Sequence, residues 1–244
     1  MIDLHTHILP GMDDGAKDVE TSLAMLRMQY EQGVRGLALT PHFYRDEERS
    51  ERFFQRREQA FQTLEQAVAG CGDPLPELVL GAEVTWVPGM HRWDDLEHFC
   101  LGHSRHLLLE LPDSKWRSSM IDHIYEMMDT SGVIPVLAHL DRYFRTQSQD
   151  HIRELFHMGV PIQISAAPML HMLERGRVLK QIKDKRNCLL ISDCHDVANR
   201  PPNLGQGMEQ LKKRLSEGQV RDMLQTARHI FEEATERKDS YAEK

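Results

Sequence analysis

The amino-acid sequence predicts a single α/β domain, a barrel or distorted barrel of parallel strands. Three observations predict it. Short apolar runs recur along the chain, mostly without polar alternation, as strands covered on both faces do. Amphipathic helical patterns separate them, which implies successive βα units. The length of 244 residues suits one barrel of roughly 250 residues.

The first run is Ile2–Leu4. In the helix expected next, Val19, Leu23, Leu26, Tyr30 and Gly33 fall at steps of three and four, on one face. The second run is Gly36–Thr40. Phe54, Phe61, Leu64 and Val68 mark the following helix, which is otherwise highly charged. Leu78–Val84 and Leu107–Leu111 are the third and fourth runs. Met120 or Ile121, Ile124 and Met128 line the next helix. Ile134–Ala138, Pro161–Ser165 and Cys188–Ser192 complete the strands. Further helices are expected after Gln149, Pro168, Leu204 and Glu217. The domain is expected to span 1–236, and the polar stretch 237–244 to fray.

Composition narrows the function classes. The chain is 40% hydrophobic and 28% charged, with a formal net charge of −8. Collagen-like, low-complexity and wholly disordered readings fall away. An acidic balance argues against nucleic-acid partners and against a membrane surface. No stretch approaches the roughly 18 apolar residues of a membrane span, so no membrane insertion is expected. Met1–His5 lacks a basic and apolar leader pattern, and the four cysteines form no Cys-x-x-Cys pair. Reduced thiols in a cytoplasmic protein are expected. The 14 histidines look numerous, and histidine is the commonest side-chain metal ligand.

Their placement carries the argument. His5 and His7 follow the first run, and His42 the second. Glu83 lies near the end of the third, and Glu110 ends the fourth. His139 follows the fifth; Asp193 and His195 follow the seventh. The C-terminal ends of parallel barrel strands open on one face, so these residues are expected to converge there. Residues i and i+2 of an extended chain point the same way, so His5 and His7 can reach one ion. A lone histidine is more often a surface residue. That reading must leave to chance a ligand type after every run but the sixth. In His7–Gly15, Asp13 and Asp14 are equal candidates to return over the ion, or to bond nearby turn amides. Imidazole with carboxylate suits manganese, iron, cobalt or zinc.

Asp3-x-His5-x-His7-Ile-Leu-Pro-Gly-x-Asp13-Asp14-Gly15 resembles the opening of the polymerase-and-histidinol-phosphatase (PHP) superfamily. More narrowly, it is similar to the bacterial PHP tyrosine phosphatases of capsule and exopolysaccharide operons. Thr40-Pro41-His42, Gly81-Ala82-Glu83, Leu109-Glu110, Ala138-His139-x-x-Arg142-Tyr143 and Ser192-Asp193-x-His195 continue the match in order. Two departures are visible: Leu140-Asp141 stands where the family pattern has Pro-Glu, and Cys194 replaces a small residue. The resemblance implies a distorted (β/α)7 TIM-like barrel, the PHP fold, with three divalent metal ions, usually Mn2+. It implies that His5, His7, Glu83 and Asp193 hold one ion, and Asp14, His42 and His195 a second. Glu110 and His139, with Glu83 bridging, hold the third. Three dications outweigh four carboxylates, leaving a positive centre that attracts phosphate. Such ions lower the pKa of water towards about 7. The expected reaction is in-line attack of a metal-bridging hydroxide on phosphorus, with Arg142 and Arg200 gripping non-bridging oxygens. The implied substrate is a phosphotyrosine protein, a bacterial tyrosine autokinase controlling exopolysaccharide or capsule synthesis. Alternatives are a small-molecule phosphoesterase such as a histidinol-phosphatase, or a non-catalytic metal-binding regulator.

Cys194 and Arg200 also satisfy Cys-x5-Arg, the signature of thiol-dependent tyrosine phosphatases. The segment between them has no glycine to cradle phosphate, and Asp196 would repel it. The match is read as coincidence.

Overall fold

The computed structural model describes residues 1–236; the expected fraying of 237–244 lies outside the described residues. The chain runs β1 (Ile2–Thr6), α1 (Val19–Glu31), β2 (Gly36–Leu39), β3 (His42–Phe43), α2 (Ser50–Cys71), β4 (Glu77–Leu80) and β5 (Glu83–Thr85). It continues with β6 (His106–Glu110), α3 (Ser118–Ser131), β7 (Ile134–Leu137), α4 (Gln149–His157) and β8 (Ile162–Ser165). Then come α5 (Ala167–Leu170), α6 (Met172–Ile182), β9 (Cys188–Ile191), α7 (Leu204–Lys212) and α8 (Glu217–Thr235). Every pairing between these strands is parallel. One sheet has the order β1-β2-β4, and the other β3-β5-β6-β7-β8-β9.

The seven expected strands become nine because the third run splits in two and a short strand, β3, that no expected run covers follows the second. The second run stops at Leu39 and β3 starts at His42, past Pro41, which has no N–H to give a ladder. The third breaks at Gly81, where a Cβ would meet Leu101 Cδ2 at 2.6 Å. The two bends lie side by side and stay bonded: Gly81 N–H donates to Leu39 O at 2.9 Å and Glu83 N–H to Pro41 O at 3.0 Å. The chain ends of the two sheets also meet. Thr6 bridges Cys194 in parallel. Asp193 N–H donates to His5 O at 3.0 Å, and His7 N–H donates to Cys194 O at 2.9 Å.

Alternate residues of the strands point inward. Leu4, Ala38, Val79, Leu108, Val136 and Leu189 form one buried cluster with Ala227, Ile230, Phe231 and Ala234 of α8. Ala234 O accepts from His103 N–H at 2.9 Å, just before β6. Phe231 packs against Gly36, the first residue of β2, where a Cβ would sit 2.5 Å from its ring. So α8 covers the N-terminal ends of the strands and leaves their C-terminal ends free. Its start is fixed by a capping box between Ser216 and Gln219.

The helix faces differ in detail from the apolar periodicity. In α1 the buried residues are Ser22, Met25, Leu26 and Gln29, whereas Val19, Leu23 and Tyr30 are only half-buried. Gly33 lies beyond the helix at a φ of 88°, in the left-handed region that ends a helix. Apolar counting overlooks polar residues whose bonds are met inside. Ser22 Oγ donates to Ile8 O at 2.6 Å, and Gln29 Nε2 donates to Asp3 Oδ2 at 2.7 Å. In α2 Leu64 is buried as expected, but Phe53 rather than Phe54 is fully so; in α3, Met127 is buried rather than Met128.

The packing of α8 makes a stability prediction. Replacing Phe231 by Ala removes a buried ring from the cluster, which costs about 3–5 kcal/mol. Urea unfolding monitored by circular dichroism measures it. A loss under about 1 kcal/mol would contradict the packing described.

Candidate metal centre

Nine side chains meet where the strands end. Their ligand atoms form four overlapping groups, each within 4.8 Å: His7, Asp14, His42, His195; His5, His7, Asp193; His5, Glu83, His139; and His42, Glu83, Glu110. These are the nine candidates from the sequence, and the structure leaves none of them apart.

Glu83, at the first position of β5, is the hub and is fully buried. Its Oε2 lies 3.1 Å from His5 Nε2, 3.3 Å from His7 Nε2 and 3.0 Å from His42 Nδ1. Its Oε1 is 2.8 Å from His139 Nε2. Glu110 Oε1 stands 3.6 Å from the same nitrogen, and Thr85 Oγ1 donates to Glu110 Oε2 at 2.9 Å. Asp193 Oδ1 is 3.6 Å from His5 Nε2 and 3.5 Å from His7 Nε2. Asp14 is the outermost member, 66% exposed, with Oδ1 3.3 Å from His195 Nε2 and 3.7 Å from His42 Nε2.

The Asp13/Asp14 alternative resolves by position. Asp13 sits behind the cluster, its Oδ2 2.7 Å from His7 Nδ1 and accepting from His42 N–H at 2.9 Å. Asp14 faces His42 and His195 instead. Gly15 makes that loop possible: a Cβ there would lie 2.1 Å from His7 O.

Several buried side-chain oxygens and nitrogens have no hydrogen-bond partner among the described residues: Glu83 Oε2, His42 Nδ1 and His195 Nε2. His5 Nε2 and His7 Nε2 face each other at 3.1 Å. Two imidazole lone pairs at that distance repel unless a proton or a cation lies between them. Buried acceptors converging without donors fit divalent cations.

The titration pattern agrees. Burial opposes charge on His5, but Glu83 and Asp193 outweigh it and raise its pKa. His7 is raised well above normal, burial again being overcome by Asp13, Asp193 and Glu83. Burial also opposes the Glu83 charge, yet His5 and the bond from His139 hold its pKa well below the carboxylate range. Asp193 is likewise lowered despite burial, by His5, His7 and Arg142. His195 goes the other way: burial, with His7 beside it, pushes its pKa down to about 4. The cluster is thus built to hold positive charge between its members.

A supporting layer escaped the sequence reading. Gln163, the inward residue of β8, sets its Oε1 2.8 Å from His5 Nδ1. This is the sixth run, the one that ends in no ligand. A single Gln inside Ile162-Gln163-Ile164 was the available signal. Asp3 accepts from Gln29 Nε2 and, at 3.1 Å, from Ser192 N–H, so it ties β1 to the end of β9. His139 and Asp193 adopt positive φ, 28° and 51°, uncommon for residues with a Cβ and concentrated at sites where a side chain must be aimed.

Arg142 and Arg200 lie beside the centre, each about two-fifths exposed. Both donate to Asp193 Oδ2, Arg200 at 2.8 Å. Cys194, by contrast, is fully buried, and its thiol is pushed up by burial and by Asp3. Gln29 Nε2 approaches its Sγ at 3.6 Å, on the α1 side. A thiolate nucleophile is excluded by this placement.

A family profile described as capsular polysaccharide synthesis, CpsB/CapC, matches residues 1–231. The chain belongs to that family. It is 28% identical over 239 residues to the tyrosine-protein phosphatase CpsB of Streptococcus pneumoniae, covering 91% of this chain and 94% of that protein. It is 27% identical over 228 residues to the tyrosine-protein phosphatase YwqE of Bacillus subtilis, covering 87% and 84%. In fold it resembles a chain from the crystal structures of YwqE from Bacillus subtilis and CpsB from Streptococcus pneumoniae, described as unique metal-dependent tyrosine phosphatases. The TM-score is 0.75 at 23% identity, with 96% of each chain covered.

The raised values of His5 and His7 predict pH-linked metal uptake. In the metal-free protein both imidazoles hold a proton to higher pH than a free imidazole does, and each must lose it to bind an ion. Their stabilising charge is complete below the unfolded value near 6.5 and fades only as pH climbs through the raised folded values. Apparent Mn2+ affinity, measured by titration calorimetry, should therefore weaken on going from pH 8 to pH 6, by roughly tenfold per proton displaced per pH unit. An affinity flat over that range contradicts this. Cys194→Ser should keep activity within about threefold of wild type; near-complete loss restores the thiol reading.

Proposed function

We propose that this protein is a cytoplasmic, metal-dependent protein-tyrosine phosphatase built on a closed, distorted (β/α)7 barrel of the PHP type. The observation that carries the reading is the convergence of nine ligand-type side chains beside two arginines. Among the described residues, no helix is long and apolar enough to cross a membrane.

His5, His7, Glu83 and Asp193 would hold one divalent ion, Asp14, His42 and His195 a second, and Glu110, His139 and Glu83 the third, with manganese the metal. Such ions would supply Lewis acidity toward phosphoryl oxygens and lower the pKa of water, the chemistry that in-line hydrolysis of a phosphate ester needs. The chain's own residues do the rest. Arg142 and Arg200, free of deep burial on the outer side of Asp193, grip non-bridging oxygens of the phosphate through paired N–H groups. Arg142 stays charged throughout: burial opposes its charge, but Asp193 and Glu83 raise its pKa. The tyrosine oxygen would leave as phenolate and take its proton from solvent. No side chain forms a covalent phosphoenzyme, since the buried Cys194 cannot reach the substrate.

The family's tie to capsular polysaccharide synthesis, with relatives named tyrosine-protein phosphatases, supports a substrate of one kind: an autophosphorylated bacterial tyrosine kinase governing polysaccharide export.

Turnover of a phosphotyrosyl peptide tests the proposal. It should stop with a chelator and return with Mn2+. Arg142→Ala should lower kcat/KM roughly 100-fold, the usual loss when one group stabilising transition-state charge is removed. Faster turnover of histidinol phosphate than of the peptide would assign a small-molecule phosphoesterase. Bound metal with no turnover of either would leave a regulator.

A further inference from the structure

Beside the metal-type cluster lies a cavity of about 240 Å3, with Arg142, Arg200, Ser165, Pro168, Ser192 and Asn203 among its walls. Whatever the two arginines hold, the rest of that ligand meets this space. Asn203 is the informative wall. It is the N-cap residue of α7, where an Asn side chain ordinarily accepts from an amide of the first turn. Here it makes no such bond. It is 7% exposed, and its Oδ1 is buried without a hydrogen-bond partner among the described residues. A buried carboxamide left open in this way is costly to the fold unless a ligand completes it. One acceptor and two donors in a plane complement a peptide group, which offers one N–H and one C=O.

The surroundings point the same way. Five large apolar side chains are exposed among the described residues, and four adjoin this cavity along the chain. Leu170, Met172 at 75% and Leu173 at 72% exposure follow the Pro168 wall, and Val197 precedes the Asn199–Pro201 wall. Clustered exposed apolar side chains mark contact with another polypeptide, and methionine adapts to varied partners. A small phosphate ester would use neither the carboxamide nor these exposed apolar side chains, which stand within five residues of a cavity wall along the chain.

We propose that this cavity is a peptide subsite, an inference that rests on the phosphatase reading. The Asn203 carboxamide pairs with a main-chain peptide group next to the phosphotyrosine. Leu170, Met172, Leu173 and Val197 contact apolar side chains of the same substrate segment.

The test compares metal-loaded wild type, Asn203→Ala, and the double variant Met172→Ser/Leu173→Ser, whose sites are at the surface and leave the core intact. Each is assayed on a phosphotyrosyl peptide with apolar flanking residues and on p-nitrophenyl phosphate. KM for the peptide should rise about three- to tenfold in each variant, with kcat held. Constants for p-nitrophenyl phosphate should stay within about twofold. Unchanged peptide KM in both variants overturns the subsite. So does an equal loss on both substrates, which is a structural effect, and so does a double variant that alters oligomeric state without altering peptide KM. Wild type that turns over neither substrate defeats the underlying phosphatase reading, and the subsite with it.

Discussion

A fully buried carboxylate governs the architecture of this protein. Glu83 has no exposure to water, yet four imidazoles stand within 3.3 Å of its two oxygens. An isolated carboxylate in that position would be prohibitively expensive. It is tolerable only where positive charge is supplied, by protons on His5 and His7 or by cations in their place. The shared bends at Pro41 and Gly81 follow from this need. They turn the chain so that His42 and Glu83, paired in register between β3 and β5, look into the cluster rather than along the sheet.

The other contacts hold the imidazoles in the one orientation that suits this hub. Asp13 backs His7, Gln163 backs His5, and the Asp193 carbonyl backs His195 at 3.1 Å. Each such bond fixes which ring nitrogen faces inward. Between the ends of β1 and β9, the backbone bonds that join His5 and His7 to the 193–194 segment do the same for the acids and imidazoles there. The opposite end of the strands is covered by α8, through Ala227, Ile230, Phe231 and Ala234. Stability and chemistry are thereby separated: the Phe231 end packs, and the Glu83 end binds.

Much of this was legible in the residue order. Apolar runs placed every strand but the two-residue β3, because a strand buried on both faces has no polar alternation to confuse it. Ligand types after those runs placed eight of the nine members of the cluster, all but Asp14, because parallel strands deliver their ends to one face. What was hidden depended on satisfaction rather than hydrophobicity. Gln29 and Ser22 sit on the buried face of α1, where periodicity favours Val19 and Leu23, because their polar atoms are met by Asp3 and by Ile8 O. The break at Gly81 was hidden inside a continuous apolar run, and β3, past Pro41, was too short and too polar at His42 to register as one. The resemblance names Asp14, which stands 3.3 Å from His195 Nε2, whereas Asp13 backs His7. Local sequence physics could not choose, since either carboxylate can serve an Asp-Gly turn.

The central claim is that these side chains exist to hold several divalent cations together. Elemental analysis of the freshly purified, unsupplemented full chain tests it most directly, repeated after dialysis against Mn2+ and removal of excess. The account predicts three bound divalent ions per chain once loaded, with manganese prominent. Protein that carries none, and retains none after the offer, contradicts it.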